Sequence, residues 1–177
     1  MPGYLAALGR QVNLQRIRAA GLSVALDPMY GAGAGLFAEL LSGGSTTVSE
    51  IHSERNPLFP GIRAPEPIES NLSEFLLLMS TGRYTIGIAN DGDADRVGLV
   101  DEQGRYVDQL RTFALLIDYL LGERGFRGPI VRSITTTRMA NLLAAHYGVE
   151  CFETPVGFKF IGPLMMEKDA LIGGEES

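Results

Sequence analysis

Two periodicities alternate along the chain. Short apolar blocks bounded by glycine, proline or acidic residues read as buried strands, and between them apolar residues recur every three or four positions, as on the packed face of a helix. Leu5, Leu8, Val12 and Ile17 predict a helix over 4–20, with Asn13 as a cap, Gly21 as its stop and a strand at 22–26 after it. Glycine-rich residues 27–35 lead into a helical segment ending near Leu41, and 46–51 is β-rich. Prolines at 57, 60, 65 and 67 exclude regular structure from 52–70. Asn71 then caps a helix whose stripe is Leu72, Phe75, Leu76 and Met79, and 84–89 is a strand.

The second half repeats the alternation. Residues 97–100 and 105–107 form a hairpin turning at 102–104, and Asp108 caps a helix carrying Leu110, Phe113, Ile117, Leu120 and Leu121 that Gly122 ends. Strands follow at 130–134 and 149–152, with a helix on Met139, Leu142 and Leu143 between them, stopped by Gly148. A further helical segment carries Phe158, Ile161, Leu164 and Met165, and Pro163 should kink or restart it before the last strand at 170–172. Strands alternating with helices in this way predict an α/β fold of mainly parallel strands with right-handed crossovers.

Composition narrows the function classes. With 45% hydrophobic and 20% charged residues the chain is globular rather than disordered. No apolar run approaches the ~20 residues a membrane span needs, and the N-terminus lacks the layout of a signal peptide, so a cytoplasmic protein without a membrane partner is expected. A net charge of −6 without Lys/Arg clusters excludes nonspecific nucleic-acid binding. The lone Cys151 reads as a structural thiol, and His52 and His146 as structural or surface residues.

The chemistry collects at Asp91-Gly92-Asp93-Ala94-Asp95-Arg96. Three carboxylates two residues apart repel one another, and a hard divalent cation ringed by oxygen is the usual way to hold them together. An EF-hand loop shares the spacing, with Glu102 at its twelfth position. However, Arg96 stands where its turn needs glycine, and the flanks read as strands. A solvated acidic turn is the plain alternative. The glycine-rich 27–35 turn suits close strand-to-helix packing better than a phosphate cradle, since it lacks both the dinucleotide spacing and a Gly-Lys-Ser ending.

In open parallel α/β sheets, ligands bind outside the carboxyl ends of the strands. Four loops meet that test: 91–96, the run Thr135-Thr136-Thr137-Arg138, the loop 155–159 ending in Lys159, and 173–177. Their hydroxyls, cations and carboxylates suit a phosphorylated sugar, although the threonines serve equally as helix caps and Lys159 as a solvated lysine.

The aspartate loop resembles the metal loop of the α-D-phosphohexomutases, the phosphoglucomutase and phosphomannomutase family. The Asp-Pro-Met turn at 27–29 is similar too, as are residues 154–161 and the Gly-Glu-x-Ser pattern at 174–177. The resemblance implies two tandem, mixed but mainly parallel α/β/α sandwich domains. The first, at about 1–103, is the family's domain 2 with the metal loop. The second, at about 104–177, is an incomplete, truncated domain 3 with the sugar-specificity loop. It also implies magnesium (Mg2+) held by Asp91, Asp93 and Asp95 beside a phosphoserine, with Arg96, near the moving phosphoryl group, and Lys159 as catalytic residues. Glu175, Ser177, Thr154, Gly157 and Arg138 would bind the substrate, Glu175 and Ser177 through the sugar hydroxyls. The phosphoserine motif, resembling Thr-Ala-Ser-His-Asn-Pro, and the Arg-x-Ser-Gly-Thr loop of domains 1 and 4 have no match in this sequence. The expectation is therefore a piece of a larger mutase acting on a phosphorylated hexose through a hexose 1,6-bisphosphate, and inactive alone. A non-catalytic metal- or phosphosugar-binding module is the alternative.

Overall fold

Asn13 breaks the first predicted helix. In the computed structural model, which describes residues 2–176, helix α1 spans Pro2–Gln11 and α2 spans Leu14–Arg18. Between them the Asn13 side chain accepts a hydrogen bond from the Arg16 N–H at 3.0 Å. An asparagine that can satisfy an orphan amide competes with the helix interior, so one periodic stripe becomes two capped segments.

A first unit runs to Val107 and a second begins at Asp108. The first continues with β1 (Ser23–Asp27), α3 (Leu36–Leu41), β2 (Thr47–Glu50), a 3-10 turn (Glu69–Asn71), α4 (Ser73–Met79), β3 (Ile86–Asn90), β4 (Val97–Val100) and β5 (Tyr106–Val107). The strands form one mixed sheet in the order β2-β1-β3-β4-β5, with β1 parallel to both neighbours and the β3-β4-β5 meander antiparallel. All of β1 beyond its first residue is buried, as a central parallel strand requires, whereas edge strand β2 alternates. Ala25, Met29, Leu72, Phe75, Met79, Ala89 and Val100 make the core. Asn71 does not cap α4: it lies in the 3-10 turn, and its side chain donates to the Glu66 carbonyl instead.

The hairpin strand β5 belongs to this first unit, so the break falls a few residues beyond the predicted 103. Asp108 caps α5 (Gln109–Asp118) by accepting from the Arg111 N–H at 2.8 Å. The chain does not stop at Gly122 but continues through a π-helical turn, Tyr119–Glu123. Then come β6 (Ile130–Ser133), α6 (Met139–Tyr147), β7 (Cys151–Thr154), α7 (Phe158–Lys168) and β8 (Ile172–Gly174). The sheet is fully parallel in the order β7-β6-β8, and every residue of the central strand β6 is buried. Strands β7 and β8 each lie two residues later than the apolar runs suggested. Helix α7 runs through Pro163 without restarting.

The glycines of β8 are packing residues. A Cβ at Gly174 would lie 2.5 Å from Phe113 Cε2, so only the bare backbone lets α5 lie on this strand. Gly174→Ala is therefore expected to lower stability by about 1–3 kcal/mol through overpacking, read as a lower denaturation midpoint at unchanged slope.

Candidate functional site

In the first sheet the chain leaves β1 on one side for β2 and returns on the other for β3, which makes the carboxyl ends of β1 and β3 a topological switch point. The loops after those two strands meet there. Ala32 N donates to Gly92 O at 2.9 Å, and a Cβ at Gly31 would lie 2.5 Å from that same oxygen. The glycine-rich turn thus supports the aspartate loop with bare backbone. From the other side Gly92 N donates to Pro65 O at 3.1 Å, and Phe59 and Pro65 pack over Gly92.

Within this frame Asp91 is fully buried, while Asp93 and Asp95 are exposed. Ala94 sits at φ 64°, the left-handed turn that brings the chain back on itself between the two exposed carboxylates. One oxygen from each of the three aspartates lies within 4.8 Å of the others. Asp91 is held by Arg96 twice: Oδ1 accepts from the backbone N–H at 2.9 Å and Oδ2 from Nε at 2.7 Å. Arg96 Nη1 donates to Glu66 Oε1 at 3.2 Å.

Burial pushes the Asp91 carboxyl up, but the bonds from Arg96, together with hydrogen bonding to Asp93 and Asp95, outweigh it and hold the group below the ordinary carboxylate value. Asp95 is shifted the other way, first by its hydrogen bonding with the Asp91 carboxylate and then by repulsion from Asp91 and Asp93. A hard cation fits this donor set. All three ligand groups are carboxylate oxygens, they already converge, and the proton that Asp95 retains too readily marks uncompensated negative charge. The flanks are the antiparallel strands β3 and β4, so the calcium-sensing helix–loop–helix reading is excluded.

In the second unit the switch point lies between β6 and β8. Ser133 Oγ lies 3.0 Å from Thr135 Oγ1 and 2.9 Å from Thr136 Oγ1, and Thr136 Oγ1 donates to Gly174 O at 3.4 Å. Gly157, at φ 121°, donates its N–H to Glu175 Oε2 at 2.8 Å. Thr154 is buried and donates its hydroxyl to Pro155 O at 2.9 Å. Thr136, Gly157 and Glu175 therefore belong to loops at one end of this sheet. Arg138 is exposed at the start of α6, and Lys159 is exposed with Nζ 5.1 Å from the Phe160 ring centroid. Ser177 lies outside the described residues. Burial pushes the Cys151 thiol up, as suits a structural cysteine.

Two sets of contacts were not visible in the residue pattern. Glu66 meets Arg96 across 30 positions of sequence. His52 Nδ1 lies 3.1 Å from both oxygens of buried Asp27, and its ring stands 4.7 Å from that of Tyr30. The only signal for the first was the pair of prolines flanking Glu66, which fix backbone without naming a partner.

The sequence matches two family descriptions in succession: phosphoglucomutase/phosphomannomutase, alpha/beta/alpha domain II, over residues 2–104, and domain III over 108–177. The chain belongs to the phosphoglucomutase/phosphomannomutase family. It is 33% identical to the phosphoglucomutase/phosphomannomutase of Thermococcus kodakarensis over 98% of its own length, but spans only 38% of that protein. A Thermus thermophilus protein described as a phosphomannomutase has a crystal structure that superposes with a TM-score of 0.91 at 34% identity, covering 99% of this chain and 40% of that one. The N-acetylphosphoglucosamine mutase of Aspergillus fumigatus, solved in complex with GlcNAc-6P and magnesium, shares the fold at 16% identity and a TM-score of 0.64, over 92% of this chain and 37% of its own.

The opposite shifts within the aspartate loop give a pH prediction. Asp91 stabilises the native state above its unfolded value of about 3.8, and that contribution is lost as pH falls through its lower native pKa. Asp95, raised above 3.8, works in reverse: its native state binds the proton more tightly, so its contribution is present at low pH and lost as pH rises through its native pKa. Carbon-13 titration of the side-chain carboxyls should therefore show Asp95 titrating above Asp91. Titration of the chain with magnesium should show affinity weakening first in the range where Asp95 takes up its proton.

Proposed function

We propose that this chain carries the metal-binding part and a portion of the sugar-binding part of a magnesium-dependent phosphohexomutase, which interconverts hexose 1-phosphate and hexose 6-phosphate. The observation that supports it most is the convergence of Asp91, Asp93 and Asp95 beside an arginine clamped to the first of them, in a chain of this family. Asp91, Asp93 and Asp95 would hold the Mg2+. When bound, the ion supplies positive charge to the phosphoryl group being moved. Arg96 adds a second fixed cation, oriented before substrate arrives, which is the kind of preorganised electrostatics phosphoryl transfer depends on.

Glu175 and Gly157 would serve the sugar. The Gly157 N–H fixes one Glu175 oxygen, and an ionised carboxylate can accept hydrogen bonds from adjacent sugar hydroxyls. Thr154, Arg138 and Ser177 belong to the same proposed set, and exposed Lys159 would face phosphate. A phosphoserine, the bisphosphate intermediate it generates and a clamp for the second phosphate would be supplied by parts of the enzyme outside these 177 residues, in keeping with the 38% of the Thermococcus relative that the chain spans.

Two measurements test this reading. The 177-residue chain should give no turnover with glucose 1-phosphate, a bisphosphate activator and magnesium, while robust turnover by contaminant-free protein would overturn the division of labour. In the full-length enzyme, Glu175→Gln removes a charged hydrogen bond of about 1.5–3 kcal/mol. The expected result is a fall in kcat/KM of about one to two decades that differs between glucose and mannose phosphates, with phosphorylation of the enzyme by bisphosphate intact. Equal losses for every sugar together with failed phosphorylation would move Glu175 into the chemistry.

A further inference from the structure

The stretch around Glu66 is irregular in secondary structure but closely tied. Three consecutive carbonyls are each taken by a different element: Pro65 O by Gly92 N at 3.1 Å, Glu66 O by Asn71 Nδ2 at 3.1 Å, and Pro67 O by Tyr106 Oη at 2.8 Å. Prolines at 65 and 67 fix φ at their own positions and push Ala64 and Glu66 toward extended backbone. Glu66 is thereby presented from a frame bound to the aspartate loop, to the 3-10 turn and to β5.

Its carboxylate takes Arg96 Nη1 at 3.2 Å while Asp91 takes Nε at 2.7 Å. Two acceptors on separate segments, gripping two different nitrogens of one planar guanidinium, leave it little freedom to rotate. Stability does not explain the arrangement. The Arg96 and Glu66 side chains are 38% and 43% exposed, and an ion pair that open to water contributes little to folding. What the pair does fix is direction.

We propose that Glu66 is a positioning residue for phosphoryl transfer: it locks the plane of the Arg96 guanidinium against Asp91, so that Nη2, the one nitrogen neither carboxylate engages, is held ready for an anionic phosphoryl oxygen. This rests on the phosphohexomutase reading above. It assigns to the Pro-Glu-Pro segment a role exerted through Arg96 rather than by contact with substrate.

The test has two arms. In the full-length enzyme, Glu66→Gln should lower kcat by about 10- to 100-fold, the scale on which a misdirected group costs rate, with KM for hexose 1-phosphate little changed. Glu66→Asp, which keeps the charge but shortens the reach, should fall between. In an Arg96→Lys background Glu66→Gln should add no more than about twofold, because the effects of residues that act through one shared partner are not additive. In the 177-residue chain, nitrogen-15 spectra should show the Arg96 guanidinium N–H signals resolved by hindered rotation and merging in Glu66→Gln, with the melting temperature nearly unchanged. Equal losses in both backgrounds, a fall in melting temperature that accounts for the lost rate, or unmoved Arg96 signals would each overturn the proposal. A full-length enzyme without any mutase activity would instead refute the proposed function, and the arginine spectra would still decide whether Glu66 holds Arg96.

Discussion

A carboxylate with no exposed surface at the end of a strand has to be paired, because burying an isolated charge costs several kcal/mol. Asp91 is that carboxylate, and Arg96 is its partner through both the backbone amide and the guanidinium. The rest of the first unit can be followed outward from this pair. The turn between them must be tight, which Ala94 achieves at positive φ. Walls must approach closely enough to exclude water from Asp91, which requires glycine at 31 on one side and the proline-rich segment on the other. Asp93 and Asp95, left outside the walls, keep their oxygens within reach of Asp91.

The second unit solves a different problem with the same architecture. Its central strand β6 also has its sequence successor on one side and a later strand on the other. The loops there carry hydroxyls, a free-turning glycine, Arg138, Lys159 and Glu175 rather than three convergent carboxylates. Hydroxyl groups close on one another through Ser133, Thr135 and Thr136, and the backbone of Gly157 reaches Glu175. Hydroxyls with a carboxylate fixed by a backbone amide suit a polar ligand; three convergent acids suit a cation.

Much of this was legible in the residue pattern because it depends on local chemistry. Strands alternating with helices, the Asp108 cap and the acidic triplet are all written within a few positions of where they act. What escaped depends on distant partners. Asn71 looks like a helix cap until Glu66 O claims its amide, and the first helix looks continuous until Asn13 satisfies Arg16 N. The two-residue lag of β7 and β8 arises because hydrophobicity marks burial, whereas pairing with β6 sets where hydrogen bonding begins. His52 carried no local signal at all, since Asp27, its partner, lies on another element 25 residues away.

The position of β1 between β2 and β3 has a consequence during synthesis. β1 is complete at Asp27, yet one of its two hydrogen-bonding edges stays vacant until Ile86–Asn90 has been made. At translation rates of ~5–20 residues per second the nascent chain therefore carries a buried-type strand with an open edge for several seconds after it leaves the ribosome. The interval is the one in which such a strand can pair with another chain instead of with its own later partner.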